Sequence, residues 1–371
     1  MYRNFIIFFV SLAILFLLPN GIWADTEGSY QVFSNPRGIY LLLSAGKLPE
    51  NRLLKLDFVK GISIRVRWRD IEKGPSEFDW SYLDRMFSLA QKEHKKVFLR
   101  LLGGFWAPRW IYQKGVPSFE IELQGTGPAA SAFFQRYGKK VKLPKVWDET
   151  YIKYWTSFIK AVGKRYADRN NLVLVHLSGP TFFSAELIMA RNQEELKTLL
   201  DRGFSEDKLL NAWQKTFMYF SNAFPRQYLA LNVHYVIKER PELVKKIFKL
   251  ARSSLGSRLA LQGNWLSPRH IHWLKAKDRL KNPPDEFFLR LFRKAREVGI
   301  IIGFQTAAPL TLIAERKGVP PKKFFRIVKR MLLVTCKLGA CYLELYPEDI
   351  SNELLWPLWR RFSSHCAISE R

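Results

Sequence analysis

The chain has 371 residues, of which 47% are hydrophobic and 15% aromatic, and this composition excludes a mostly disordered protein. Its formal net charge is +27, from 60 Lys and Arg against 33 Asp and Glu. The basic residues are spread along the sequence and form no arm or stripe, which argues against nucleic acid as a partner. A basic soluble surface, or attraction to an anionic envelope polymer or glycan, remains open.

The N-terminal segment has the pattern of a secretory signal. Arg3 supplies positive charge, residues 5–18 are apolar, and Ala24 ends the segment with a small side chain. The apolar run is short for a membrane span of about 20 residues, which favours a cleaved signal peptide over an uncleaved anchor. We therefore expect a signal peptide over residues 1–24, one domain over residues 25–371, and a secreted, periplasmic or cell-envelope location with no stable membrane span after cleavage.

Short apolar runs of β type alternate with longer amphipathic stretches along the chain. The predicted strands are residues 38–44, 61–68, 96–102, 172–177, 228–233, 258–263, 299–305 and 340–345. Helices are predicted at residues 48–58, 80–94, 149–166, 241–251, 285–298 and 322–338, and a last helix carries Trp356, Trp359 and Phe362. Eight strands with helices between them predict a single α/β domain, a closed (β/α)8 barrel of TIM type.

One connection stands out by its length. Residues 105–146 follow the third predicted strand and are rich in Gly, Pro and aromatic side chains. In a barrel this stretch lies at the carboxyl end of the strands, where loops build active sites, so we expect it to form a wall of a cleft.

Cysteine and histidine give no sign of a metal site. The chain contains only Cys336, Cys341 and Cys366, an odd number that cannot be fully paired, and a bond between Cys341 and Cys366 is one option. Because no CxxC or Cys/His cluster occurs, zinc is not expected. No cofactor is expected either, although a calcium ion in a loop stays open.

The ends of the predicted strands carry polar and aromatic side chains, which in a barrel point into the cleft. Such a lining suits a carbohydrate, whose hydroxyls take hydrogen bonds and whose CH faces stack on aromatic rings. The candidates for substrate contact are Arg65, Trp68, Trp106, His176, His234, Asn264, Trp265, Gln305 and Tyr346. For each tryptophan a place in the core is the alternative, and for His176 a hydrogen-bonded interior position.

Residues 61–111 resemble the clan A glycoside hydrolases, particularly the family 42 beta-galactosidase-like group. The resemblance rests on the end of the second strand at Arg67 and Trp68, on SEFDWSYLD at residues 76–84, and on Pro108, Arg109 and Trp110. Residues 144–148 (PKVWD) and the helix ending in Lys164, Arg165 and Tyr166 are similar to the stretch before the acid/base strand of that group. The resemblance covers about residues 61–180 and implies a glycosidase that hydrolyses the O-glycosyl bonds of an oligo- or polysaccharide.

Glycoside hydrolysis needs two carboxyl groups that flank the bond. Clan A members place an Asn-Glu pair after strand four and a Glu at the end of strand seven, but this sequence has Ser178-Gly179 and Gln305 there. As substitutes we expect Glu186 as general acid and Glu344 as nucleophile or base. The alternatives are a capping role for Glu186 and an ion pair between Glu344 and an arginine such as Arg65 or Arg100.

Three functions are therefore open from the sequence. The first is a glycosidase that uses Glu186 and Glu344. The second is a non-catalytic glycan-binding barrel at the cell envelope, in agreement with the missing carboxylates at Ser178-Gly179 and Gln305. The third is an envelope scaffold whose basic surface binds an acidic polymer.

Overall fold

The computed structural model describes residues 34–122, 138–238, 240–267 and 283–365. The predicted signal peptide, Cys366 and part of the long stretch after strand three lie outside these residues. No helix within the described ranges is long and apolar enough to span a membrane.

The barrel consists of eight strands, which we number β1 to β8 in chain order. They are Gly38–Leu42, Val59–Arg67, Lys96–Leu102, Leu172–His176, Tyr228–Asn232, Leu259–Leu266, Ile301–Thr306 and Ala340–Leu345. Each pairs in parallel with the next, and β8 pairs with β1 to close the sheet. The predicted TIM-type barrel is confirmed, and the predicted bounds of β3 and β8 agree with the structure.

Helices cover the outside of the barrel and fill its loops. They are Asn51–Leu54, Trp68–Ile71, Ser81–Lys92, Trp110–Gln113, Glu149–Tyr166, Gln193–Asp201, Glu206–Ala223, Pro241–Leu255, Pro283–Glu297, Leu310–Arg316, Pro321–Lys337, Pro347–Ser351 and Trp356–His365. The predicted helix at residues 48–58 is only one turn, and the two helices between β4 and β5 were not predicted. Asn192 and Ser205 mark where those two begin, because their side chains accept hydrogen bonds from Glu195 and Lys208 backbone N–H groups.

Side chains inside the barrel alternate with side chains that face the helices, as the period of a β-strand requires. The lower interior layer is aromatic and small: Tyr40, Phe98, Leu174, Ala230, Ala260 and Tyr342. The rings of Tyr40 and Phe98 stack with their centroids 3.6 Å apart. Gly61 and Gly303 make room for this layer, since a Cβ atom would lie 2.5 Å from the ring of Tyr40 at position 61 and 1.9 Å from the ring of Tyr342 at position 303.

The long stretch after β3 contains a hairpin. Ser118–Glu122 pairs antiparallel with Lys140–Pro144, and residues 123–137 between them lie outside the description. Phe119 of the hairpin packs against Trp147 and against Phe182 of the segment after β4. The expected cleft wall therefore has a fixed base next to the carboxyl end of β4.

Two sequence predictions need correction. Trp68 is fully buried, with its ring within 6.0 Å of the rings of Tyr151, Trp155 and Phe158, so it has no face for a sugar and the predicted substrate contact is wrong. The option of a Cys341 disulfide is also wrong, because Cys341 takes no part in a disulfide, whereas Cys336 is disulfide-bonded. The predicted last helix is confirmed, since Trp359 and Phe362 are buried.

Candidate functional site

A polar layer lies directly above the aromatic layer in the barrel interior. On each strand, the member of this layer lies two residues after the residue that contributes to, or makes room for, the aromatic layer. All members are buried: Ser63, Arg100, His176, Asn232, Gln262, Gln305 and Glu344. They come from β2 to β8, one from each strand. Buried polar groups must be hydrogen-bonded to be tolerated, and each of these residues makes at least one hydrogen bond to another member of the layer.

Glu344 is the centre of this polar layer. Its Oε1 accepts hydrogen bonds from Ser63 Oγ at 2.6 Å and from His176 Nε2 at 3.0 Å. Its Oε2 accepts from Arg100 Nη2 and from Gln262 Nε2, each at 2.7 Å. Each carboxylate oxygen therefore has two donors. The side chain is 0% exposed, so neither oxygen contacts solvent.

The charges in the polar layer are balanced. Burial acts to raise the pKa of Glu344, but Arg100 and His176 outweigh it and hold that pKa well below its usual range. Burial, aided by the charge of Arg100, lowers the pKa of His176. The layer is thus a buried Arg–Glu ion pair beside a buried histidine, and Arg100 also donates to Gln305 Oε1 at 2.8 Å. The catalytic role of Glu344 stays a prediction.

The place where the family's Asn-Glu pair is expected is closed to a side chain. Gly179 has a φ of +126°, and a Cβ atom there would lie 2.0 Å from Nε1 of Trp155. The backbone is held from outside, because Trp155 Nε1 donates to Ser178 O at 3.0 Å and Tyr151 Oη donates to Gly179 O at 3.0 Å. A glutamate at position 179 would require this aromatic clamp to move.

Glu186 lies beside the end of β5. It forms an isolated parallel bridge with Asn232, and its backbone N–H donates to Ser184 Oγ at 3.1 Å. Its charge acts on His234, whose pKa is lowered by burial and raised in part by Glu186. Both side chains are half-buried. Glu186 is therefore a partly accessible carboxylate at the mouth of the barrel, and its role as general acid stays a prediction.

The β2 side of the mouth is lined by arginines. Arg65 and Arg67 alternate with Ser63, which points to Glu344 inside the barrel, so all three share one face of β2. Arg65 Nε donates to Leu43 O at 3.0 Å, and its guanidinium lies 5.8 Å from the ring centroid of Tyr346. The guanidinium of Arg67 lies 4.7 Å from the ring centroid of Trp106.

The structure separates the predicted contact residues into three groups. His176 and Gln305 are buried in the polar layer with Glu344. Arg65, His234 and Tyr346 are half-buried at the mouth, and Asn264 lies there with 7% exposure, its Oδ1 accepting from Gln262 Nε2. Trp106 is only 9% exposed, and Trp265 packs against Phe288, Phe292 and Phe304, so both tryptophans occupy largely core positions.

Sequence reasoning missed Ser63 as part of the site. The signal was available, because Ser63 precedes Arg65 by two residues in the same strand and so shares its face. Among the described residues, no group of three or more His, Cys, Asp or Glu side chains could hold a metal ion.

Comparison with known proteins was made on sequence and on structure. Residues 52–224 match the family model of the glycoside hydrolase family 42 beta-galactosidases. This confirms the resemblance and extends it beyond residues 61–180. No curated protein matches the chain.

Three solved structures with a similar backbone fold have low sequence identity to this chain. Xylanase B from Clostridium stercorarium F9 is 12% identical, with a TM-score of 0.47, over 84% of this chain and 85% of that one. Endo-glycoceramidase II from a Rhodococcus species is 14% identical, with a TM-score of 0.49, over 87% and 78%. The beta-galactosidase from Marinomonas ef1 is 10% identical, with a TM-score of 0.47, over 83% and 54%.

The polar layer predicts strong coupling between Arg100 and Glu344. Removing one partner leaves a buried charge unpaired, so we expect Arg100→Met or Glu344→Gln alone to lower the free energy of unfolding by about 3–5 kcal/mol. We expect the double variant to be more stable than the sum of the two losses predicts, because no charge is then left alone. Urea unfolding of the four proteins measures the coupling, and additive losses would show that the pair does not interact.

The lowered pKa of His176 predicts a loss of stability in mild acid. Its folded-state pKa lies below the value of about 6.5 in the unfolded chain, so the unfolded state takes up the proton first. The contribution of His176 is therefore fully present above pH 6.5 and is lost as the pH falls below it. Urea midpoints at pH 7.5 and 5.5 measure this loss, and we expect it to be smaller in His176→Gln. An equal loss in both proteins would assign it to other groups.

Proposed function

We propose that this chain is a glycoside hydrolase-type barrel that binds a carbohydrate at the carboxyl ends of its strands. The observation that carries the proposal is the match of residues 52–224 to the family 42 beta-galactosidases. That stretch includes β2, β3 and β4 and therefore supplies Arg65, Arg67 and the segment that bears Glu186. The loops at this end of a TIM barrel form its active site, and the half-buried polar groups there suit sugar hydroxyls.

A more specific version of this proposal is that the protein also hydrolyses the carbohydrate it binds. It needs two carboxyl groups, about 5–5.5 Å apart for retention or about 6.5–9.5 Å apart for inversion. Glu186 suits the general acid, because it is half-buried and adjoins His234. Glu344 would have to give up one of its four donors before it could contact an anomeric carbon.

Binding without hydrolysis is the second candidate, and the burial of Glu344 favours it. A carboxylate with 0% exposure and two donors on each oxygen supports the barrel and has no free lone pair directed at a ligand. The closed position at Gly179 removes the other carboxylate that the family would place here. We therefore infer that the carbohydrate is bound and not cleaved by the Glu186 and Glu344 pair.

A panel of oligosaccharides separates the two forms. With wild-type protein we expect saturable binding by calorimetry and no release of new reducing ends. Glu186→Gln should still bind, and Glu353→Gln, at an exposed carboxylate, is the matched control. Product release that falls about a thousandfold in both Glu186→Gln and Glu344→Gln, with folding intact, would instead assign a two-carboxylate hydrolase.

We also propose that the protein is exported. The signal pattern of residues 1–24 supports this, and so does the disulfide at Cys336, since disulfides persist in oxidising compartments. The mature N-terminus, determined by mass spectrometry after expression in a secreting host, is expected to follow Ala24. A full-length chain retained in the cytoplasm would contradict the proposal.

A further inference from the structure

The predicted tryptophan contacts offer little accessible ring surface at this mouth. Of the three tryptophans predicted to contact substrate, Trp68 is 0% and Trp106 9% exposed. Trp265 packs against Phe292, another aromatic ring of the protein. The half-buried groups on the β2 side are instead guanidinium groups. A neutral sugar would leave such cations without a counter-charge.

The guanidinium of Arg65 is held in place by one hydrogen bond, and one of its other N–H groups has no hydrogen-bond acceptor within the described ranges. Its Nε–H is used by Leu43 O, and the ring of Tyr346 lies beside it. Its Nη2 is buried and has no hydrogen-bond partner among the described residues. A buried donor without a partner is costly, so a small rotation of the guanidinium that brings Nη2 to an acceptor at the mouth would be favoured.

Arg67 presents the same feature two residues farther along β2. It lies over Trp106, and its Nη1 is 3.6 Å from Asp70 Oδ2, a distance that leaves the ion pair loose. Its Nε is also buried without a hydrogen-bond partner in the described part of the chain. Arg69 lies on the other side, with its guanidinium 4.9 Å from the centroid of the same Trp106 ring.

The local charge is not balanced from within the protein. Arg100 is neutralised by Glu344 in the layer below, so neither contributes net charge to the mouth. Above that layer, Asp70 is the acidic side chain that pairs with Arg67 among the ion pairs of the described residues. The β2 side of the mouth therefore carries an excess of positive charge.

We propose that the carbohydrate bound at this mouth is anionic, and that Arg65 and Arg67 contact its acidic group. The proposal rests on the proposed function, since it names the class of ligand for the same site. Arginine suits this task because its planar group donates two parallel hydrogen bonds to a carboxylate or to a sulfate or phosphate ester. A carboxylate, a sulfate ester and a phosphate ester have in common a negative charge attached to a sugar ring.

The test compares ligands that differ in charge alone. Oligogalacturonate carries one carboxylate on each sugar, and its methyl ester has the same sugars without the charge. By calorimetry we expect oligogalacturonate to bind at least about tenfold more tightly than the ester, because a hydrogen bond to a charged group contributes about 1.5–3 kcal/mol. A sulfated galactose oligomer, run in parallel, shows whether a carboxylate or a sulfate is the preferred source of the charge.

Variants of the two arginines locate the contact. Arg65→Met and Arg67→Met should each remove most of this preference for the acid over the ester, and Arg65→Lys should retain part of it. Arg252→Met is the matched control, because Arg252 is exposed on the helix Pro241–Leu255 away from the mouth, and it should bind as wild type does. Thermal unfolding of each variant confirms that it is folded.

Each outcome decides a different point. Equal binding of the acid and the ester, or a preference unchanged in Arg65→Met and Arg67→Met, would overturn the anionic ligand and leave carbohydrate binding standing. Absence of binding by every acidic and neutral oligosaccharide would overturn both proposals. Equally tight binding of polyglutamate, which has the charge but no sugar, would also overturn this inference.

Discussion

The ion pair between Arg100 and Glu344 is the interaction on which the interior of this barrel depends. Glu344 accepts hydrogen bonds from residues on β2, β3, β4 and β6, and through Arg100 and His176 it reaches Gln305 on β7 and Asn232 on β5. Seven strands thus contribute to one network around a single carboxylate. A buried charge is tolerated only when it is paired and its lone pairs are satisfied, and here both conditions are met within the barrel.

This network also determines what the mouth above it can do. Because Glu344 and Arg100 neutralise each other below, the functional groups left at the mouth are Glu186 and His234 on one side and the arginines of β2 on the other. The segment after β4 is fixed by Tyr151 and Trp155 from the helix Glu149–Tyr166. A carboxylate at position 179 is thereby excluded, and the site differs chemically from that of the family it resembles.

Sequence patterns located much of this arrangement, for physical reasons that can be traced to particular segments. The helix Glu149–Tyr166 was predicted with its observed bounds, because its apolar stripe follows the helical period and Asp148 caps its first turn. The strands β3 and β8 were likewise located, since each is a short, mostly apolar run: β3 contains two charged residues, Lys96 and Arg100, and β8 contains Glu344. The helices Gln193–Asp201 and Glu206–Ala223 were missed because their caps lie inside a stretch read as a connection.

Local sequence patterns were enough to predict the barrel, the strand on which each polar residue lies, and the absence of the family's carboxylates at Ser178-Gly179 and Gln305. Alternation along a strand shows which side chains share a face, but it does not show how far each lies from the barrel mouth or which neighbour it meets. Three features therefore emerged from the folded structure alone: Glu344 pairs with Arg100, Trp68 belongs to the core, and Arg65 and Arg67 lie at the mouth. Those outcomes depend on the register between strands distant in sequence, which no local pattern encodes.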